Sequence, residues 1–370
     1  METQTRPPAG VLGYRPELDG LRALAVTAVL LFHAGVSWAK GGYLGVDVFF
    51  VLSGFLITRI LLEERVLTGR TAILRFYMRR VLRLFPALVV VAAACAIYAE
   101  LALSSGQITQ MWHDVFATAT YHMNWVEALH QQPAFGLLDH AWSLSIEEQF
   151  YVLWPLVLIV AHRLWGIRGV AGIAIAGAVA SAGLRVLLLH NGSPDIRVYY
   201  GLDTHSDGIL IGCALAAWTM LWPGLVDALH GPFTRGLGAL ALFAVGIAAS
   251  TVDIASKSLY RWGYLLFGLT TAVVVADLYA RGLTSRVLRW APLVAVGRIS
   301  YGLYLWHWPV FIVLNGQRIH WSFLPLTLLR LSVSLVFAVL SFFLVEQPFL
   351  RLKPRLEPWL TRPSRADDLV

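Results

Sequence analysis

Two ionisable residues stand eleven positions apart in an apolar run, Arg22 and His33 of LDGLRALAVTAVLLFHAGVSW. If the run is helical, eleven steps of about 100° come within roughly 20° of three full turns. Both side chains then share one face, about 16 Å apart along the axis. An imidazole in such a place can act as a general base or carry a group as a nucleophile. The competing reading is a histidine packed between helices and hydrogen-bonded to a neighbour; an ionisable residue at membrane depth is costly enough to make function the default hypothesis.

Five further runs carry candidate chemistry. GYLGVDVFFVLSGFLIT (42–58) sets Asp47 near one end of a second apolar segment, where it could orient an imidazole or lie among headgroups; Gly45 and Gly54 suit close helix packing. RFYMRRVLRLFP (75–86) clusters Arg79, Arg80 and Arg83 ahead of Pro86, which predicts a loop entering a helix. Guanidinium forks suit polyphosphate, although basic residues also set topology and meet lipid headgroups. HAWSLSIEEQFYVLWP (140–155) places Glu147 and Glu148 at a predicted helix start. There they compete with a capping role, since Ser143 or Ser145 could be the N-cap and Ser145 to Glu148 has capping-box spacing. DTHSDGILIGCALA (203–216) offers His205 and Asp207, and GRISYGLYLWHWPVF (297–311) puts Arg298 and His307 in one predicted span.

The elements that must hold these residues follow from composition. Hydrophobic residues make up 58% of the 370 and charged ones 14%, against about 25% charged in soluble domains. The repeated apolar segments predict an all-α, polytopic membrane bundle rather than a barrel. Ten spans are expected, at roughly 21–39, 46–62, 84–103, 148–165, 169–189, 204–222, 236–252, 260–280, 291–314 and 322–345. Together they form one membrane domain, 21–345, between cytoplasmic tails 1–20 and 346–370. Twenty of the 29 Lys and Arg residues fall in the segments this scheme places inside or, for Arg22 and Arg163, at the inner ends of its spans, including Arg6, Arg235, Arg362 and Arg365. That bias supports both termini in the cytoplasm and accounts for the net charge of +7 without nucleic acid. The segment 104–147, with His113, His122, His130 and His140, falls outside; His190, His230 and His320 are isolated. Cys95 and Cys213 sit in apolar segments, which argues against a disulfide framework. HExxH, GxSxG, Walker A and CxxC patterns do not occur, and no metal is expected.

Taken together and in order, RPELDGLRALAV, GYLGVDVFFVLSGFLIT, RFYMRRVLRLFP, WSLSIEEQFYVLWP and SYGLYLWHWPVF resemble the acyltransferase three family of bacterial membrane acyltransferases, over roughly residues 14–350. The resemblance implies an acyl-CoA donor, commonly acetyl-CoA, on the cytoplasmic side. It implies an acceptor hydroxyl, usually on a cell-surface glycan or glycolipid, and a lipid bilayer as solvent. A basic residue ten intervening positions before a histidine is a family feature that Arg22 and His33 match. Arg79, Arg80 and Arg83 depart from the family's Arg-x-Arg pattern, so which two correspond stays open. Glu148, and less closely Glu147, matches the carboxylate after WSLS. The implied site is therefore His33, Glu148 and Asp47 for catalysis, with Arg22, Arg79, Arg80 and Arg83 for the donor. Many members carry an extra extracytoplasmic domain, which is not expected here. The alternatives are acylation of a secondary metabolite such as a macrolide, or a glycan transporter or flippase.

Overall fold

A chain this apolar must satisfy its backbone within each segment, because lipid offers no hydrogen-bond partners. The structure, a computed structural model, describes residues 13–129, 136–224 and 236–360, and every regular element among them is helical. His130, His230, Arg235, Arg6, Arg362 and Arg365 lie outside the described residues. Five helical stretches are long and apolar enough to cross a membrane: Gly42–Thr68, Ile73–Ala102, Asp139–His190, Leu259–Tyr279 and Phe323–Leu356. Asp207–Leu221 and Leu237–Thr251 are shorter apolar helices. The chain divides into two compact units, one of Met1–Gly69, Tyr121–Ala134 and Ala141–Ser300, the other of Arg70–Thr120, Phe135–His140 and Tyr301–Val370.

The first unit is built around α1 (Pro16–His33), α2 (Gly45–Thr68, entered through a 3-10 turn at Gly42–Leu44) and later helices that pack on them. Pro16 sits where a helix's first N–H groups are unpaired anyway, so the helix begins inside the predicted tail 1–20. It ends at His33, six residues before its predicted end. Gly35 takes φ +79°, and the Gly35 and Val36 N–H groups turn back onto the Phe32 and Leu31 carbonyls at 2.9 and 3.1 Å, a Schellman closure that only glycine makes without strain.

Short helices α5 (Met123–Leu129), α7 (Asp195–Tyr200) and α8 (Leu202–His205) join the long α6 (Trp142–His190) in this unit. The fourth and fifth predicted helices are the two arms of α6, which meet at Gly166 (φ 64°, ψ −160°). Then come α9 (Asp207–Leu221), α10 (Leu237–Thr251), a π-helical turn at Leu259–Gly263 running into α11 (Tyr264–Tyr279), α12 (Leu283–Leu288) and α13 (Ala291–Arg298). The α2–α9 pair packs backbone to backbone. A Cβ on Gly54 would stand 1.8 Å from the Ile209 carbonyl oxygen, and one on Gly212 would stand 2.1 Å from that of Val51. Glu17, fully buried, binds α1 to the end of α12 by accepting from Arg289 Nε at 3.1 Å.

The second unit holds α3 (Ile73–Ala102), α4 (Ser105–Ala119) and, from Tyr301 onward, α14 (Ser300–Val313). It also holds α15 (Gly316–Ile319), α16 (Phe323–Ser341), a π turn at Phe342–Glu346, α17 (Gln347–Leu350) and α18 (Lys353–Leu360). The helix predicted to begin near residue 84 begins at Ile73, so Pro86 lies inside it and Arg79, Arg80 and Arg83 are helical rather than looped. The predicted ninth span breaks at Ile299, which separates Arg298, the last residue of α13, from His307 in α14. Residues assigned to the tail from 346 onward are helical to Leu360 apart from a turn at Arg351 and Leu352.

Candidate active site

Arg22 and His33 share α1, as their spacing requires, with no break between them. Arg22 lies 3.9 Å from the Asp19 carboxylate one turn earlier and stands over the Phe49 ring of α2 at 5.9 Å. His33 closes the helix, half-buried, its ring 5.1 Å from that of Phe32. Cations are favoured at a helix C-terminus, where unpaired carbonyls gather negative charge, so an imidazolium formed at His33 gains support from its own helix.

Asp47 sits in the first turn of α2, only 4% exposed. The imidazole it meets is His205, not His33: His205 Nε2 lies 2.9 Å from Asp47 Oδ1, and Nδ1 donates to the Tyr199 carbonyl at 2.6 Å. Trp142 stacks on the His205 ring at 5.9 Å, and Phe50 and Tyr264 close two other sides at 5.7 and 4.6 Å. The next helix start is fixed as firmly. Arg185, wholly buried in α6, holds Asp207 through two bonds of 3.0 and 2.7 Å. It also donates to the Thr204 carbonyl at 2.6 Å and the Tyr260 carbonyl at 2.8 Å. Burial of a guanidinium demands such complete pairing.

Glu147 and Glu148 fall in the second turn of α6. The capping reading fails, because the helix starts at Trp142 with Ala141 as N-cap, which puts Ser143 and Ser145 inside it. Ser145 Oγ instead donates to the Ala141 carbonyl and accepts from the Met123 N–H. Glu147 bridges helices, accepting from Ser53 Oγ of α2 at 3.2 Å and from Tyr151 OH at 2.8 Å. Glu148, the residue after it, is half-buried.

In the second unit, Arg75, Arg79 and Arg83 recur every four residues on α3 and Arg80 adds a flank, so the basic groups form a ridge rather than a loop cluster. Two histidines also meet there: the His140 and His307 rings are 5.6 Å apart and both are buried. His140 Nε2 donates to the Leu305 carbonyl at 3.1 Å and His307 Nδ1 to the Tyr304 carbonyl at 2.6 Å, since a carbonyl can only accept. Among the described residues no group of three His, Cys, Asp or Glu side chains has metal-binding geometry.

Within the first unit the structure joins Arg22 to His33 by one helix and pairs Asp47 with His205, a partner the sequence left beside the main candidates. Its only signal there was the DTHSD run, which set an imidazole and two carboxylates at a helix start.

No solved structure matches the chain. It is 34% identical over 354 residues to the peptidoglycan O-acetyltransferase OatA of Listeria monocytogenes serovar 1/2a (strain ATCC BAA-679 / EGD-e), covering 90% of this chain and 56% of that protein. The putative peptidoglycan O-acetyltransferase YrhL of Bacillus subtilis (strain 168) is likewise 34% identical over 354 residues, 90% of this chain and 55% of its own. O-acetyltransferase OatA of Staphylococcus aureus (strain NCTC 8325 / PS 47) is 31% identical over 351 residues, 90% and 57%. The chain thus spans little more than half the length of these relatives. The family model described as an acyltransferase domain matches residues 15–346, from the residue before α1 to the end of the second π turn; this multi-pass membrane chain belongs to the acyltransferase three family.

Proposed function

We propose that the chain is an integral-membrane O-acyltransferase that moves an acyl group, acetyl in the first instance, from cytoplasmic acyl-CoA to a hydroxyl of a cell-wall glycan. The observation that carries this reading is the family match over residues 15–346, within which Arg22 and His33 lie on one unbroken helix. In this reading the chain crosses the bilayer ten times with both termini inside. Arg22 and the Arg79, Arg80 and Arg83 ridge take the CoA phosphates, because planar guanidinium forks match phosphate oxygens in pairs. His33 accepts the proton of the acceptor hydroxyl as the ester C–O bond forms and the thioester C–S bond breaks, with CoA leaving as thiolate; or it first takes the acyl group itself as the thiolate leaves, and then passes it to the hydroxyl as the C–N bond breaks. Glu148 is the carboxylate proposed to orient it, while Asp47 contributes through the His205 end of α8, to which it is bonded. The names of the relatives support a glycan acceptor and an acetyl group.

The test uses purified protein in lipid nanodiscs, radiolabelled acetyl-CoA and soluble peptidoglycan fragments, with acetylated product measured. Wild type should transfer label. His33→Ala should lose about 10²–10⁴-fold in rate, the span of a general base, while donor binding persists. Arg80→Ala with Arg83→Ala should raise the KM for donor with less effect on kcat. Undiminished transfer by the His33 variant removes it from catalysis, and an unchanged donor KM moves the CoA site elsewhere.

A further inference from the structure

A narrow furrow of 280 Å³ runs between α1, α2, α10 and α11 of the first unit. α1 lines it from Leu21 to Leu31, ten steps that cover about 15 Å of helix. A bilayer's hydrocarbon core is about 30 Å thick, so the furrow has the depth of one leaflet. α2 and α11 belong to stretches long and apolar enough to cross a membrane, which puts the furrow at membrane depth. At about 100° per residue, Leu24 and Leu31 stand about 200° and 180° round the helix from Arg22. The furrow therefore follows the back of α1, away from the face that carries Arg22 and His33.

Its lining is hydrocarbon apart from Thr27, Ser250 and the Trp38 indole, and Ser250 Oγ is spent within its own helix, donating to the Gly246 carbonyl at 2.9 Å. An occupant at depth therefore needs no hydrogen-bonding group. Lipid tails are as apolar as leucine, so such a lining alone selects nothing among lipids. The selecting group stands at the mouth. Trp38, 63% exposed, and Ala39 form the rim, and the Gly41 N–H ties it to the Ala249 carbonyl of α10 at 3.0 Å. Lys40 lies between them, exposed, and no carboxylate among the described residues forms an ion pair with it. Asp253 and Lys257, in the turn that follows α10, cancel in charge, so the rim keeps the one positive charge of Lys40. A tryptophan beside a lysine is the pairing that membrane proteins place at headgroup level.

We propose that this furrow holds one acyl chain of an anionic phospholipid, its phosphate at Lys40 and its chain along the back of α1. The lipid comes from the leaflet that faces the rim, the outer one in the orientation proposed above. A protein segment fits less well. A helix is about 10–12 Å across and needs several times this volume, and an extended segment would leave its backbone groups unpaired against the apolar lining. The site does not rest on the acyl-transfer reading, and its test does not use activity.

The experiment is native mass spectrometry of the full chain released from nanodiscs of equimolar phosphatidylglycerol and phosphatidylcholine, counting the lipids retained. Wild type should retain phosphatidylglycerol over phosphatidylcholine by about fivefold, the preference that one lysine near an anionic headgroup supplies. Lys40→Gln should bring that ratio close to one while a lipid is still retained. Gly246→Leu should lose one retained lipid of either class. A Cβ at Gly246 would meet nothing within 4 Å, so the new side chain fills the furrow without a clash, and leucine favours the helix over glycine. That variant should accordingly melt no lower than wild type. Equal retention of the two lipids by wild type overturns the headgroup assignment. Retention by Gly246→Leu equal to wild type means that the lipid is held elsewhere and overturns the furrow. Should Gly246→Leu fail to fold, an unchanged ratio in Lys40→Gln, which alters only an exposed side chain, overturns the proposal by itself.

Discussion

At the residue scale, Arg185 is a fully committed side chain. It has no solvent contact, yet all its bonds converge on one carboxylate and two backbone carbonyls, with the Tyr264 ring 5.3 Å from its charge. Removing one member of a buried ion pair strands the other, and the cost exceeds what the pair itself contributes. Arg185→Met should therefore destabilise the protein by about 3–5 kcal/mol. Adding Asp207→Leu should recover much of that loss, because the stranded carboxylate goes with it. Thermal unfolding of the two variants in one detergent reads the difference, and an equal loss in both would show that the guanidinium acts through packing alone. Readability from sequence differs sharply among these residues. Arg22 and His33 declare their common face by spacing alone, since eleven residues make three turns. Asp47 and His205 are 158 positions apart, and no periodicity joins residues on helices whose pairing is set only by tertiary packing.

At the element scale, apolar runs announced the helices, and the missed boundaries have local causes. The α1 end at His33 follows from Gly35 in the left-handed region, whereas hydropathy alone carried the helix on through Val36 and Trp38. α3 begins eleven residues early because Arg79, Arg80 and Arg83 are good helix formers, which a charge-based boundary reads as loop. The contact of α2 with α9 yields the prediction at this scale. Gly54→Val would drive a side chain into the Ile209 carbonyl, which is backbone and cannot rotate aside. Its cost should exceed the about 1–3 kcal/mol of ordinary overpacking, seen as loss of folded protein in fluorescence-detected size exclusion. Gly106→Ala in α4 meets nothing within 4 Å and should leave yield and melting unchanged, or slightly improved. Equal behaviour of the two variants would mean that the helices are not in backbone contact.

At the scale of the whole molecule, orientation in the membrane decides whether donor and acceptor sides can be those proposed. Twenty of 29 basic residues lie in segments assigned to the cytoplasm or at the inner ends of the spans, a bias that sets orientation during insertion. Both native thiols, Cys95 and Cys213, are buried, so a membrane-impermeant maleimide should label the intact protein little and leave a clean background. Arg70 and Asn191 are exposed ends of the two connections that the proposal sets on opposite faces. Arg70→Cys in intact cells should resist the reagent until the membrane is permeabilised, and Asn191→Cys should react at once. The reverse pattern would put the arginine ridge of α3 on the outer face and exclude cytoplasmic CoA as its ligand. Labelling of both from one side would change by one the number of crossings between residues 70 and 191, three in the ten-span scheme. Gly166, where α6 kinks, would then be the first place to look, because one uninterrupted passage through both arms replaces two crossings by one.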